Sequence, residues 1–246
     1  MKYYFIILCI NFASVCYSQK IKIAAAADLR YAMDEIVKQY KTNFPNADID
    51  IIYGSSGNAF TQIVNGAPFD IYFSADIFYP QKLKEAGFTI SEPKLYAIGR
   101  IVLWSSTIDV SKGLEILRTC TKTRIAVANP EHAPYGKRAI ETLHHAGLYE
   151  QVKKQLIFGE NISQTAQFCL TGNAEIGILA LSIVLSPSIS GKGKYFLIDD
   201  KFHQELKQAF VLLKHAINNT EAYRFADYIE SKQARIIFEN YGFTLP

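Results

Sequence analysis

Four short runs place small or polar residues where a strand hands over to a helix: Ala27-Asp28-Leu29, Ser55-Ser56-Gly57, Pro134-Tyr135-Gly136 and Asn161-Ile162-Ser163. The chemistry open to such runs is anion binding. The first turn of a helix carries unpaired N–H groups and a partial positive charge, and small residues let an oxyanion approach them. Ser55 and Ser56 add hydroxyl donors within the most explicit of the four, Gly54-Ser-Ser-Gly57. That run follows the apolar Ile49–Tyr53 and leads into helical spacing at Ala59, Phe60, Ile63 and Val64. A serine that merely caps a helix explains any one run equally well. Two such junctions fall in each half of the chain, and this repetition favours a small tetrahedral oxyanion gripped from two sides.

Other chemistries find less support. A serine nucleophile needs a positioned base, and Gly54-Ser-Ser-Gly57 is not the G-x-S-x-G elbow of hydrolases. His132 lies in the second half and could face Ser56 across a cleft, so a secreted serine hydrolase stays open as the rival reading. No Cys/His cluster has zinc spacing, and His144 and His145 are neighbours on a helix that point apart. The formal charge of +3 is spread along the chain, which argues against a nucleic-acid partner.

Strands and helices alternate through most of the 246 residues. Ile21–Ala27 and Asp70–Phe73 read as buried strands, and Leu29, Ala32, Met33, Ile36, Val37 and Tyr40 form a helical stripe. A longer strand follows Gly99. A second set then begins at Arg124–Ala128 and continues through a helix ending at Gly147, a helix after Asn161 and a strand at Ile176–Leu181. Tyr195–Ile198 and Phe210–Leu213 supply late strands, and closing helices follow. The pattern implies an α/β fold of two mostly parallel sheets flanked by helices, with ligands at the carboxyl ends of the strands. Residues 1–18 differ: one charge at Lys2, an apolar run Phe5–Ala13, then Cys16-Tyr17-Ser18. This reads as a secretory signal cut after Ser18, with a lipid anchor through Cys16 disfavoured by Val15. Beyond it only Cys120 and Cys169 remain; both sit among apolar residues and read as buried free thiols rather than a pair.

Taken in order, further runs extend the pattern. Ala24-Ala-Ala-Ala-Asp-Leu29, Gly54–Gly57, Gly66-Ala-Pro-Phe-Asp-Ile-Tyr-Phe-Ser-Ala-Asp76, Asn129-Pro-Glu-His-Ala-Pro-Tyr-Gly136, Gly159-Glu-Asn-Ile162, Gly177–Ser182 and Tyr241-Gly-Phe243 span residues 21–243. In this order they resemble the periplasmic molybdate-binding proteins of ABC importers, within the type II solute-binding proteins. The resemblance implies two lobes, one from 19–97 completed by about 214–246 and the other from 98–213. Crossovers are implied near Ala97–Arg100 and again somewhere in 195–213. It implies unhydrated molybdate or tungstate held by neutral donors, with no cofactor and no catalysis, in a periplasmic monomer that serves an inner-membrane permease. Sulfate, phosphate and ferric-ion carriers are the neighbouring alternatives. The family's contacts fall on Asp28, Ser56, Tyr135 and Ile162, with Ser55 and Ser182 as possible additions. A tyrosine contact of some members falls on Ala180 and is therefore absent. Asp28 departs from the family's serine, and a carboxylate beside a dianion is repulsive. The expected relief is that Asp28 caps the following helix through the N–H groups of Arg30 and Tyr31 and turns away. A protonated Asp28 donating to the anion is the alternative. Asp70 and Asp76 read as turn-bonding residues outside the site.

Overall fold

Alternation along the first strand sets the first sheet's two faces. In β1 (Ile21–Ala26), Ile21, Ile23 and Ala25 point to one core and Ala24 to another, the period-two pattern of a strand covered on both sides. The computed structural model describes residues 19–246; the expected signal segment and its cut after Ser18 lie outside them. After β1 come α1 (Arg30–Asn43), β2 (Ile49–Gly54), α2 (Ser56–Val64), β3 (Ile71–Ser74), α3 (Phe78–Glu85) and β4 (Lys94–Gly99). The chain then forms β5 (Ile101–Ser105), β6 (Ile125–Ala128), α4 (Pro134–His145), α5 (Tyr149–Val152), β7 (Leu156–Gly159), α6 (Ile162–Leu170), β8 (Ile176–Ala180), α7 (Leu181–Val184) and β9 (Lys194–Leu197). It finishes with β10 (Leu206–Leu212), α8 (Thr220–Ile229) and α9 (Lys232–Asn240).

These strands make two five-stranded sheets, in the orders β2-β1-β3-β10-β4 and β7-β6-β8-β5-β9. β1 runs parallel to β2 and β3, and β6 runs parallel to β7 and β8. β10 and β5 each run antiparallel to both of their neighbours. One face of the first sheet packs Met33, Ile36, Phe225 and Phe238 from α1, α8 and α9. The other packs Ala59, Ile63, Tyr79 and Leu83 from α2 and α3. A third core centres on the second sheet and takes in Ala26, Ala27 and Ala75 from the first lobe.

The chain leaves the first sheet at Gly99 and enters the second at Ile101, with Arg100 as the whole crossover. Its return lies between Leu197 and Leu206. β10 therefore pairs in the first sheet, whereas the sequence reading placed residues up to 213 with the second lobe. Phe210 and Leu212 sit opposite Phe73 and Ile71, and the Phe210 and Phe73 rings stack 5.1 Å apart. An apolar strand reveals that it is buried but not which sheet buries it. Between β5 and β6 the chain makes a 3-10 turn over Gly113–Arg118. Cys120 and Cys169 are both free; Cys169 is buried and its thiol is pushed up to about 12 by desolvation, while Cys120 is half-buried.

Candidate functional site

All four junctions line one pocket, whose walls are Ala26, Ala27, Asp28, Gly54, Ser55, Ser56, Ala75, Ala133, Pro134, Tyr135, Asn161 and Ile162. The first lobe supplies the carboxyl ends of β1 and β2, and the second lobe supplies the starts of α4 and α6. No lysine, arginine or histidine lines it.

The donors left for a ligand follow from what the helix caps consume. Ser55 caps α2 by accepting from Asn58 N–H at 3.4 Å, while Gly57 N–H donates to the His132 carbonyl at 2.8 Å. Asn161 caps α6 by accepting from Ser163 and Gln164 N–H at 3.0 and 3.1 Å. α4 opens on Pro134, which has no N–H to satisfy. The first-turn N–H groups of Ser56, Tyr135 and Ile162 are left without a protein acceptor among the described residues. Ser56 is 1% exposed, and its Oγ accepts from Ala75 N–H at 3.0 Å, so its own proton is free to donate. Tyr72 OH holds the Ser56 carbonyl at 2.7 Å. Three helix starts and one hydroxyl thus converge on a space with no cation, an arrangement suited to an anion held by oriented dipoles.

The other sequence candidates are placed differently. Ser55 lines the pocket, but its Oγ is engaged by the α2 cap and by His132 Nδ1 at 2.9 Å. Ser182 lies outside the lining and donates to the Asp28 carbonyl at 2.8 Å, joining the lobes. Asp70 bonds Lys22 N–H and His215, and Asp76 bonds Ser74 and Tyr79 N–H; neither faces the pocket.

Asp28 does not cap α1. It sits inside a 3-10 turn, Ala27–Leu29, and neither that turn nor α1 has a side-chain cap. Its Oδ2 instead accepts from Tyr135 OH at 3.0 Å and from Gln208 Nε2 at 2.6 Å, one partner in each lobe. Tyr96 OH donates to Gln208 Oε1 at 2.6 Å and so orients the amide. Oδ1 is buried and unpartnered. Burial pushes the carboxyl up from 3.8 to about 6, with the bonds from Gln208, Tyr135 and its own N–H pulling it partly back. Burial likewise carries the Tyr135 and Tyr96 hydroxyls well above their usual range, so both stay neutral donors. Sequence reasoning missed Gln208. Its signal was a glutamine inside the apolar strand Leu206–Leu212, where a buried amide needs dedicated partners. Gly99 makes room for the group, since a Cβ there would stand 2.4 Å from Tyr135 OH and 2.7 Å from Gln208 Nε2.

His132 meets Ser55 rather than Ser56, and its Nε2 lies 3.7 Å from Glu160 Oε2. Glu160 also accepts from Asn58 Nδ2 in the opposite lobe. A hydrolytic triad would present Nε2 to the serine and Nδ1 to the acid; here the ring is reversed. Together with the Gly57–His132 bond and Ser163 Oγ donating to the Ala27 carbonyl at 3.1 Å, this cluster clasps the two lobes over the pocket.

Comparison with known proteins agrees with this geometry. Residues 21–244 match the family model described as bacterial extracellular solute-binding protein. The chain is 32% identical to the molybdate-binding protein ModA of Azotobacter vinelandii over 235 residues, 95% of this chain and 93% of that one. It is 35% identical to ModA of Rhodobacter capsulatus over 195 residues, 78% and 75% of the two chains. Its fold superposes on the solved Azotobacter vinelandii periplasmic molybdate-binding protein with a TM-score of 0.86 at 28% identity, covering 92% of this chain and 99% of that one. The chain belongs to the bacterial extracellular solute-binding protein family.

Proposed function

We propose that the protein captures molybdate or tungstate, without its hydration shell, between its two lobes outside the cytoplasmic membrane and passes it to the permease of an ABC importer. The observation that carries this reading is the convergence of the Ser56, Tyr135 and Ile162 N–H groups and the Ser56 hydroxyl on one pocket without cations. Relatives described as molybdate-binding over most of their length support the same ligand. The protein works as a monomer after loss of residues 1–18, and its role is binding rather than catalysis. The lobes built on the two sheets act as the jaws, joined by the Gly99–Ile101 crossover and the return before β10. No described helix is long and apolar enough to cross a membrane.

A fixed set of donors discriminates by anion size. Sulfate is the smaller ion and leaves buried donors unpaired, at about 1–3 kcal/mol for each. Calorimetric titration should show tight and similar binding of molybdate and tungstate, with sulfate and phosphate at least about tenfold weaker. Sulfate binding as tight as molybdate would end the molybdate assignment and leave a general oxyanion pocket.

A further inference from the structure

We propose that Asp28 takes up one proton when the oxyanion binds and offers it, on Oδ1, as an additional donor to the anion. The inference rests on the molybdate reading and adds to it a proton stoichiometry and a rule of selectivity. Its geometric basis is the unequal state of the two carboxyl oxygens. Oδ2 already accepts from two donors, Tyr135 OH and Gln208 Nε2, and has no use for a proton. Oδ1 has no partner, although it is buried on a residue that lines the pocket. A buried oxygen in this state is costly unless something pairs with it. Ionised, Oδ1 repels a dianion; protonated, it donates to one. Gln208 acts as a positioning residue, since its amide, oriented by Tyr96, fixes which oxygen stays the acceptor.

No neighbouring charge takes the proton's place. The 3-10 turn carrying Asp28 packs on α1, α6 and α7. α7 has no titratable residue, and α6 has only Cys169, whose thiol stays protonated. On α1, the Arg30 guanidinium lies over the Tyr53 ring at 4.5 Å, Tyr31 OH accepts from Ser188, and Asp34 accepts from Tyr53. On α4, Arg138 pairs with Glu141 and Lys137 reaches the Phe78 ring, while Tyr135 is a neutral donor. On β10 and β4, Lys207 pairs with Glu205 and Lys94 with Glu230, and Tyr96 is neutral. Asp76, also buried in the first lobe, is held by Ser74 and the Tyr79 N–H.

The consequence is selection by protonation state. A protonated Asp28 donates to any bare anion oxygen and so suits molybdate, which offers only acceptors at neutral pH. An ionised Asp28 would instead accept from an anion that carries an O–H, such as hydrogen phosphate. With the unliganded carboxyl titrating at about 6, affinity for molybdate should be flat below that pH and fall about tenfold per unit above it.

The test is calorimetry of molybdate binding to the full mature chain at pH 8 in Tris and in HEPES, whose ionisation enthalpies differ. The expected result is an uptake of close to one proton per molybdate in the wild type and none in Asp28→Asn, whose amide donates without titrating. Gln208→Met removes a bond that holds the Asp28 carboxyl down, so it should move the break in the affinity–pH curve upward; it also serves if Asp28→Asn fails to fold. Tight molybdate binding with no proton uptake, or an unmoved break in Gln208→Met, overturns the inference and leaves the ligand reading standing. Absence of molybdate binding, or hydrogen phosphate bound in its place, overturns both.

Discussion

Asp28→Asn should make the unliganded protein more stable at pH 8, by up to about 3 kcal/mol. The carboxyl is 1% exposed and its folded value lies near 6 against the ordinary 3.8. At about 1.4 kcal/mol per unit, that gap is the cost of ionising Asp28 inside the closed protein. Because the folded value is raised, the contribution of Asp28 to stability is fully present below pH 3.8 and is lost as pH rises through about 6. Asparagine resembles the protonated acid. Its single oxygen can accept from both Tyr135 OH and Gln208 Nε2, and its NH2 takes the place of the unpartnered Oδ1. Urea unfolding across pH should show the gain of the variant over wild type to be largest above pH 6 and to vanish towards pH 4. The figure applies to the closed conformation, in which the carboxyl is buried. A variant less stable than wild type at pH 8 would mean that the carboxylate charge itself holds the fold.

Gly57→Ala should weaken molybdate binding by about a hundredfold or more while leaving the lobes folded. A Cβ on Gly57 would lie 2.8 and 2.9 Å from Cβ and Cα of His132, and 2.6 Å from Tyr79 OH. Tyr79 belongs to the same lobe and can swing its hydroxyl aside. The His132 backbone belongs to the other lobe, so the overlap is relieved only by drawing the lobes apart. That movement breaks the 2.8 Å bond from Gly57 N–H to the His132 carbonyl and takes the Tyr135 and Ile162 donors away from the anion. Hydrogen bonds to a charged group are worth about 1.5–3 kcal/mol each, so losing two costs about 3 kcal/mol or more. Alanine within α2 is otherwise favourable, and the unliganded melting temperature should not fall. Wild-type affinity in Gly57→Ala would show that lobe closure contributes nothing to binding.

Local rules made much of the fold and half of the site legible. Asn161 and Ser55 do cap the helices that follow them, as their types demand, and the strand-to-helix junctions do gather round one pocket. The same rule failed at Asp28. An aspartate before an apolar helical stripe reads as a cap, yet its partners Tyr135 and Gln208 lie 107 and 180 residues away. Competition between a local N–H and a distant buried donor is settled by tertiary packing, which spacing does not encode. β10 shows the same limit at the level of topology. Its apolar residues announced burial, but only the pairing of Phe210 with Phe73 decides that it completes the first sheet. The sequence leaves His132 able to face Ser56 across a cleft; that it meets Ser55 instead follows from the Gly57–His132 backbone bond, which no side-chain pattern records.

The most direct measurement is anomalous diffraction from crystals grown with tungstate, in which tungsten marks its own position. The expected result is one strong peak between the starts of α2, α4 and α6, with its oxygens about 3 Å from the N–H groups of Ser56, Tyr135 and Ile162 and from Ser56 Oγ. A tungsten peak outside that pocket, or one held by lysine and arginine side chains, would contradict it.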